Sequence, residues 1–125
     1  MDRKETGAMG EQAAAEYLLS QGYELLARNW HCRWGELDLV ARKEEILAFV
    51  EVKTRKPGAM VSPLEAVNRT KRRKLIRSAQ AYLMELGETE LQPRFDVAAV
   101  TVFPGELPRF TVEYWPSAFD GSEGE

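Results

Sequence analysis

The chain has 125 residues, of which 44% are hydrophobic and 30% charged, and its formal net charge is −3. This length suits one domain with its own apolar core, and the composition excludes a disordered or collagen-like chain. The single cysteine, Cys32, and the single histidine, His31, exclude a disulfide framework and a zinc site built from histidine and cysteine.

No segment of the sequence has the pattern of a membrane span or a secretory signal. The longest apolar run, at 46–50, is far too short to cross a bilayer. Near the N-terminus, Glu11 and Glu16 interrupt any apolar region that a signal peptide would need. We therefore expect a protein of the reducing cytoplasm that has no membrane partner.

The spacing of apolar residues predicts two helices and five strands, in the order α-β-β-β-α-β-β. In chain order they are a helix at 6–21 capped by Thr6, strands at 23–30, 35–41 and 46–54, a helix from Ser62 to Gly87 that breaks near Asn68, and strands at 94–103 and 109–115. Ser62, Pro63 and Glu65 form the signature of a helix start. This order is typical of a layered α/β domain, which we expect at 1–116, followed by an acidic, flexible tail at 117–125.

The third predicted strand is apolar on both faces and then ends in Glu51, Val52 and Lys53. Such a strand is expected in the middle of a sheet that is covered on both sides. Because residues two apart on a strand point to the same face, about 6.6 Å from each other, the Glu51 carboxylate and the Lys53 ammonium project side by side. An ordinary ion pair at the strand end is the alternative interpretation.

The second predicted strand contains Asp38 between Leu37 and Leu39, although aspartate is disfavoured in strands. Strict alternation places Glu36 and Asp38 on one face and the two leucines on the other. A short turn joins the second and third strands into a hairpin, which brings Asp38 close to Glu51. A capping role for Asp38 is the alternative, and Glu36 is the weaker candidate because surface glutamates are common.

These acidic groups, together with Lys53, predict a metal-dependent phosphodiesterase site. Carboxylates that converge beside a lysine repel each other unless a cation lies between them, and hard oxygen ligands suit Mg²⁺ or Mn²⁺. Asp38 and Glu51 would bind the cation, while Lys53 would neutralise charge that develops on phosphorus. Glu11 is a third carboxylate, beside Gly7 and Gly10, which permit close packing; a merely exposed helical glutamate is the alternative.

Positive charge is concentrated between Lys53 and Arg77, which enclose nine of the 17 lysines and arginines and one acid, Glu65. This segment carries a charge of +8, so the rest of the chain carries −11. The concentration predicts a surface for the phosphates of a nucleic acid, with a solvated helix face as the alternative.

The motifs, taken jointly and in order, resemble the bacterial YraN family. They are Gly10-Glu11, Gly22-Tyr23, Asn29-Trp30, Gly35-Glu36-Leu37-Asp38-Leu39-Val40, Phe49-Val50-Glu51-Val52-Lys53-Thr54-Arg55, Glu65-Ala66-Val67, Lys71 and Arg94-Phe95-Asp96-Val97. That family is regarded as predicted endonucleases, similar to archaeal Holliday junction resolvases of the PD-(D/E)XK nuclease superfamily. The resemblance implies a restriction-endonuclease-like three-layer core, α-β-β-β-α-β, with a mixed central sheet.

The resemblance also implies roles for single residues. Asp38 takes the place of the first acid of the motif, Glu51 the second and Lys53 the lysine, and Glu11 resembles the helix glutamate that completes the metal site. Leu37 stands where the name of the superfamily has proline. The implied substrate is DNA, including branched or junction DNA, the implied cofactor is Mg²⁺ or Mn²⁺, and the implied assembly is a homodimer.

Candidate contacts to the nucleic acid are basic and aromatic side chains near this site. They are Arg33, Trp34, Arg55, Lys71, Arg72 and Lys74. The basic ones would contact phosphates, and Trp34 would either stack on bases or pack against the protein. Core packing is expected for Trp30, and a structural pairing with an arginine is expected for Asp96.

The sequence thus predicts a metal-dependent endonuclease that hydrolyses the phosphodiester bonds of DNA. A non-catalytic nucleic-acid-binding module on the same fold is the alternative, and an interaction protein whose acids are structural is a third hypothesis. Metal ligands beside a lysine favour the nuclease, because a binding module has no need of them.

Overall fold

The computed structural model describes residues 2–58, 62, 65 and 67–124. Its elements are α1 (Arg3–Ser20), β1 (Glu24–Cys32), β2 (Gly35–Lys43), β3 (Ile46–Arg55), α2 (Arg69–Leu86), β4 (Gln92–Phe103), β5 (Arg109–Phe119) and a 3₁₀ turn (Gly121–Gly124). The predicted α/β class and element order are confirmed. Neither of the two described helices is long and apolar enough to cross a membrane.

The five strands form one mixed sheet in which every strand pairs with its neighbours in sequence. β3 and β4 are parallel and are connected through α2, whereas the other neighbouring pairs are antiparallel. A parallel pair needs a crossover connection, which places α2 on one face of the sheet. With α1 on the other face, the structure has the three layers expected of a nuclease-like core.

β3 lies in the middle of the sheet and is covered on both faces, as its apolar sequence predicts. On one face Phe49 packs in a cluster with Ile76 of α2. On the other face Val50 packs in a cluster with Leu18 of α1. Burial of a large apolar side chain contributes about 1.5–3 kcal/mol, so both helices hold β3 and thereby fix the position of its charged end.

The first helix begins earlier than predicted. Asp2, not Thr6, is the N-cap, because the Asp2 carboxylate accepts a hydrogen bond from the backbone N–H of Glu5 at 2.8 Å. Thr6 instead donates its hydroxyl hydrogen to the carbonyl oxygen of Asp2 at 2.8 Å. The predicted glycine at the C-terminal end is confirmed, since Gly22 has a φ of 89°, which favours glycine.

The second long helix begins at the predicted break. The Asn68 side chain accepts a hydrogen bond from the backbone N–H of Lys71 at 2.9 Å and so caps α2. Upstream, Ser62 Oγ accepts from the backbone N–H of Glu65 at 3.2 Å, as expected of a cap. Pro63 lies outside the described residues.

The last strand extends beyond its predicted end at Trp115, as far as Phe119. Pro116 has no N–H to donate, but β5 is an edge strand and its pairing with β4 is irregular between Phe95 and Val97, where a proline is tolerated. The Phe119 ring stacks on Phe95 with centroids 5.1 Å apart. Residues 117–119 therefore belong to the sheet.

A buried carboxylate on β4, that of Asp96, links the two C-terminal strands. Asp96 is fully buried, and Arg94 donates to it from Nε and Nη2 at 2.9 and 2.8 Å. The Tyr114 hydroxyl and the backbone N–H of Ser117 also donate to this carboxylate, and Arg94 Nη2 donates to the Tyr23 hydroxyl at 2.6 Å. This is the arginine partner expected for Asp96, and it ties β4 to β5 and to the start of β1.

We expect Arg94→Met to lower the free energy of unfolding by about 3–5 kcal/mol, because it leaves a buried carboxylate without its cation. Urea denaturation of both proteins at pH 7 would measure the change. The exposed Arg3→Met variant is the control and should stay within about 0.5 kcal/mol of the wild type. Equal midpoints for the two variants would contradict a structural role for this pair.

Candidate metal centre and nucleic-acid interface

The alternation of side chains along β2 is interrupted at Asp38. Leu37 packs in the cluster on the α2 face, whereas Leu39 packs in the cluster on the α1 face. The interruption has a counterpart in β1, where Asn29 has a φ of 49° and lies between the residues paired with these two leucines. The prediction that Leu37 and Leu39 share a face is therefore wrong.

Asp38 lies where β2 parts from β3. The regular pairing of these strands extends from Lys43 to Leu39 on the β2 side. Beyond it, Asp38 Oδ2 accepts the hydrogen bond of the Val52 backbone N–H at 2.9 Å. The side chain thus occupies the place of a backbone acceptor, in the plane of the sheet, and can contact groups that belong to either face.

Asp38 and Glu51 form a pair of carboxyl groups. Their side chains are within hydrogen-bonding reach of each other. Burial, followed by the hydrogen bond and charge of Glu51, raises the pKa of Asp38 to about 8. Both acids from the two predicted strands therefore meet, as the hairpin argument requires.

Glu51 is almost completely buried, with 5% of its side chain exposed. Its Oε2 atom has no hydrogen-bond donor among the described residues. The ammonium of Lys71 forms an ion pair with it, with Nζ 3.6 Å from Oε2. A buried carboxylate oxygen without a hydrogen-bond donor costs free energy, so this atom is a candidate ligand for a cation.

Glu11 and Glu36 complete an acidic cluster with Asp38. One carboxylate oxygen from each of the three lies within 4.8 Å of the other two. Burial, together with the charge of Asp38, raises the pKa of Glu11 above its ordinary value. From the sequence, Glu36 was the weaker candidate ligand. Its position two residues before Asp38 is the signal that favours its membership of the cluster.

Close packing of α1 on β3 positions Glu11. A Cβ atom added to Gly10 would lie 2.1 Å from Thr54 Oγ1, so only glycine allows the helix to approach this strand. The neighbouring Gly7 has open space around it. The expectation that glycines permit close packing is confirmed for Gly10, and it is wrong for Gly7.

Lys53 follows Glu51 by two residues, and alternation from the buried Phe49 places it on the α2 face of β3. It is half-buried and forms no ion pair with any residue that the structure describes. Lys53 and Glu51 therefore share a face of β3 at the end of the strand, and no described acid neutralises the lysine.

Apart from Lys71, which pairs with Glu51, the predicted nucleic-acid contacts fall into two groups. In the first group, Arg55 donates to Glu113 at 3.1 Å and to Thr101, and Arg72 donates to the carbonyl oxygen of Val67 at 2.8 Å, so the protein itself engages both guanidinium groups. The second group lies at the β1–β2 turn and on the exposed side of α2. It contains the predicted Arg33, Trp34 and Lys74, beside which lie Arg73 and Arg77, which were not among the predicted contacts. We call these five residues the Trp34 surface.

The indole of Trp34 organises that surface. The guanidinium carbons of Arg33 and Arg77 lie 4.5 and 4.8 Å from its ring centroid. The half-buried indole thus packs against two exposed arginines, and stacking on bases stays a prediction. Trp30 packs edge-on against Tyr82 with centroids 5.3 Å apart, which confirms its expected place in the core.

We expect Asp38→Asn to stabilise the protein in metal-free buffer at pH 8. The folded wild type holds a proton on Asp38 up to about pH 8, whereas the unfolded chain releases it near pH 4, so this group's contribution to stability falls as pH rises through that interval. The melting temperature should increase by about 5 °C or more at pH 8 and by progressively less toward pH 4.

Thermal unfolding in EDTA between pH 4 and 8 would test this, with the exposed Glu24→Gln as the control. An Asp38→Asn variant that melts below the wild type at pH 8 would show that Asp38 is ionised and favourable there.

Gly10→Ala and Gly7→Ala should change stability in opposite directions. Alanine at Gly7 should gain about 0.5–1 kcal/mol from helix propensity, whereas alanine at Gly10 should lose about 1–3 kcal/mol through its clash with Thr54. Adding Thr54→Ala should restore part of the loss only in the Gly10→Ala background. Equal gains from both alanines, measured by denaturation, would refute the close contact.

The chain matches a family of known proteins over most of its length. The pattern described as "Uncharacterised protein family UPF0102" matches residues 10–100. The chain is 48% identical over 118 residues to a UPF0102 protein of Syntrophotalea carbinolica, covering 94% of each chain. It is 48% identical over 107 residues to one of Nocardia farcinica (86% of this chain and 84% of the relative), and 52% over 97 residues to one of a Synechococcus species (76% and 73%). The description assigns no activity, but the match is extensive: this chain belongs to the UPF0102 family, the YraN family that its motifs resemble.

Proposed function

We propose that the protein is an endonuclease that hydrolyses phosphodiester bonds of DNA and uses Mg²⁺ or Mn²⁺ as its cofactor. The observation that carries the proposal is the meeting of carboxylates from α1, β2 and β3 at the point where the sheet splits. Lys53 follows Glu51 by two residues on the same face of β3 and forms no ion pair with any described residue. The likeness to predicted endonucleases of the PD-(D/E)XK type supports the same conclusion.

The residues at the split fit a divalent cation. All candidate ligands are carboxylate oxygens, which Mg²⁺ and Mn²⁺ prefer. They form two sets that share Asp38. One is the pair with Glu51, whose buried Oε2 has no hydrogen-bond donor in the described part of the chain, and the other is the cluster with Glu11 and Glu36. Removing the repulsion among these acids is what a cation would contribute to stability.

The protein's own groups supply the rest of the chemistry. When bound, the cation polarises a phosphate oxygen and lowers the pKa of a water molecule. Asp38 is held by the Val52 N–H and Glu51 by its buried strand, so both acids are fixed before substrate arrives. The Lys53 ammonium, a compact point charge, would neutralise the charge that develops on phosphorus.

The Trp34 surface supports DNA as the substrate. Its arginines and Lys74 lie on exposed parts of α2 and of the β1–β2 turn. The strand that follows this turn, β2, carries Glu36 and Asp38 of the acidic cluster. Contacts from such residues to phosphates give affinity without reading sequence, which suits an enzyme that recognises DNA shape such as a branch.

The homodimer and the cytoplasmic location stay predictions from the sequence. The edge strand β5 is the candidate contact between the two subunits.

One observation favours a second candidate, the non-catalytic nucleic-acid-binding module. The Lys71 ammonium already lies beside Glu51 and so neutralises part of the acidic charge without a metal. A module of this kind would bind DNA and leave it intact.

Incubation with linear, flapped and four-way DNA in Mg²⁺, Mn²⁺ or EDTA distinguishes the two candidates. We expect cleavage that needs the metal and falls by roughly 10²–10³-fold in Asp38→Asn and Lys53→Met, the scale for removing one group that stabilises a transition state. Lys43→Met, at the far end of β2, removes the same charge as Lys53→Met and should cleave at the wild-type rate.

Two outcomes would contradict the nuclease. Cleavage that survives both Asp38→Asn and Lys53→Met would exclude this site. Tight binding without cutting in either metal would identify the non-catalytic module.

A further inference from the structure

Lys71 combines a fixed backbone with a movable charge. Its backbone N–H is held by the Asn68 side chain at the first turn of α2. Its side chain reaches across to the end of β3, where Nζ lies 3.6 Å from Glu51 Oε2. The lysine side chain is 39% exposed, whereas that of Glu51 is only 5% exposed. The ammonium can therefore turn into solvent at little cost, while the carboxylate cannot.

Lys71 contacts the carboxylate oxygen that a metal ion at this site would bind. The contact is made to the same oxygen, Oε2, that has no hydrogen-bond donor among the described residues. At 3.6 Å the interaction is one of charge rather than a hydrogen bond. Magnesium binds a carboxylate oxygen at about 2.0–2.1 Å, and a divalent cation there would repel an ammonium that lies 3.6 Å from the same oxygen. This repulsion sets the two cations in competition.

We propose that the Lys71 ammonium stands in for the divalent cation at Glu51 in the metal-free protein and competes with it for this site. Metal binding displaces the side chain toward solvent, where its charge becomes available to a phosphate of the substrate. Lys71 is thus a positioning residue that acts through Glu51. The inference rests on the metal site of the proposed function, but not on turnover.

Substitutions of opposite effect test the competition. Lys71→Met keeps the length of the side chain and removes its charge, so Mn²⁺ should bind about 5–10-fold more tightly at pH 8. Lys71→Arg keeps the charge and adds a planar fork that can hold Glu51 with two hydrogen bonds, so Mn²⁺ should bind more weakly than to the wild type. Calorimetry, or electron paramagnetic resonance of free Mn²⁺, would measure both without substrate.

Arg69→Met is the matched control, because it removes one positive charge from the exposed side of the same first turn. Its affinity for Mn²⁺ should stay within about 2-fold of the wild type. Melting temperature with and without Mn²⁺ gives a second readout: Lys71→Met should be the less stable protein in EDTA and should gain more from the metal than the wild type does.

The outcomes separate this inference from the proposed function. If Lys71→Met binds Mn²⁺ no more tightly than Arg69→Met, the competition is refuted while the metal site stands. If neither the wild type nor any variant binds Mn²⁺, both the metal site and the competition are refuted. Binding by Lys71→Met where the wild type shows none would be the strongest support.

Discussion

Everything at the candidate site depends on how the sheet satisfies one backbone N–H. Where β2 turns away from β3, the Val52 N–H loses its carbonyl partner and takes the Asp38 carboxylate instead. An unsatisfied buried N–H would cost as much as a lost hydrogen bond, so this contact fixes the aspartate in the plane of the sheet. From there it reaches Glu51 on one side and Glu11 and Glu36 on the other. The split in the sheet is thus the reason that acids from opposite layers can meet.

The two helices bring opposite charges to this point. α1 carries a carboxylate and approaches β3 closely because Gly10 leaves room for Thr54. α2 carries the basic residues and directs Lys71 inward while Lys74 and Arg77 remain exposed. Because the helices lie on different faces, the site is negative toward α1 and balanced toward α2. This arrangement gathers the carboxylates of Asp38, Glu11 and Glu36 together and gives Glu51 a lysine partner from α2.

The sequence predicts the fold and part of the site for clear physical reasons. The continuous apolar run before Glu51 has no place except the middle of a sheet, and a turn of a few residues forces Asp38 to its side. Period-two reasoning fails between Leu37 and Leu39, because Asn29 adopts a left-handed conformation that alternation does not reveal. A run of basic residues likewise does not show which one turns inward, since that depends on the height of α2 above β3. The sequence predicted an arginine partner for Asp96, but it did not predict the hydrogen bonds that Tyr114 and Ser117 of β5 donate to this carboxylate.

The single cysteine lies at a useful place. Cys32 ends β1 and lines the same groove as Trp34 and Arg77, and its side chain is only half-buried. A thiol-reactive fluorophore would therefore attach at one position of the native sequence, with no need to remove other cysteines. The natural chain thus offers one attachment point for an optical label, at the edge of its basic surface and next to His31, whose Nδ1 lies 3.7 Å from the Glu36 carboxylate.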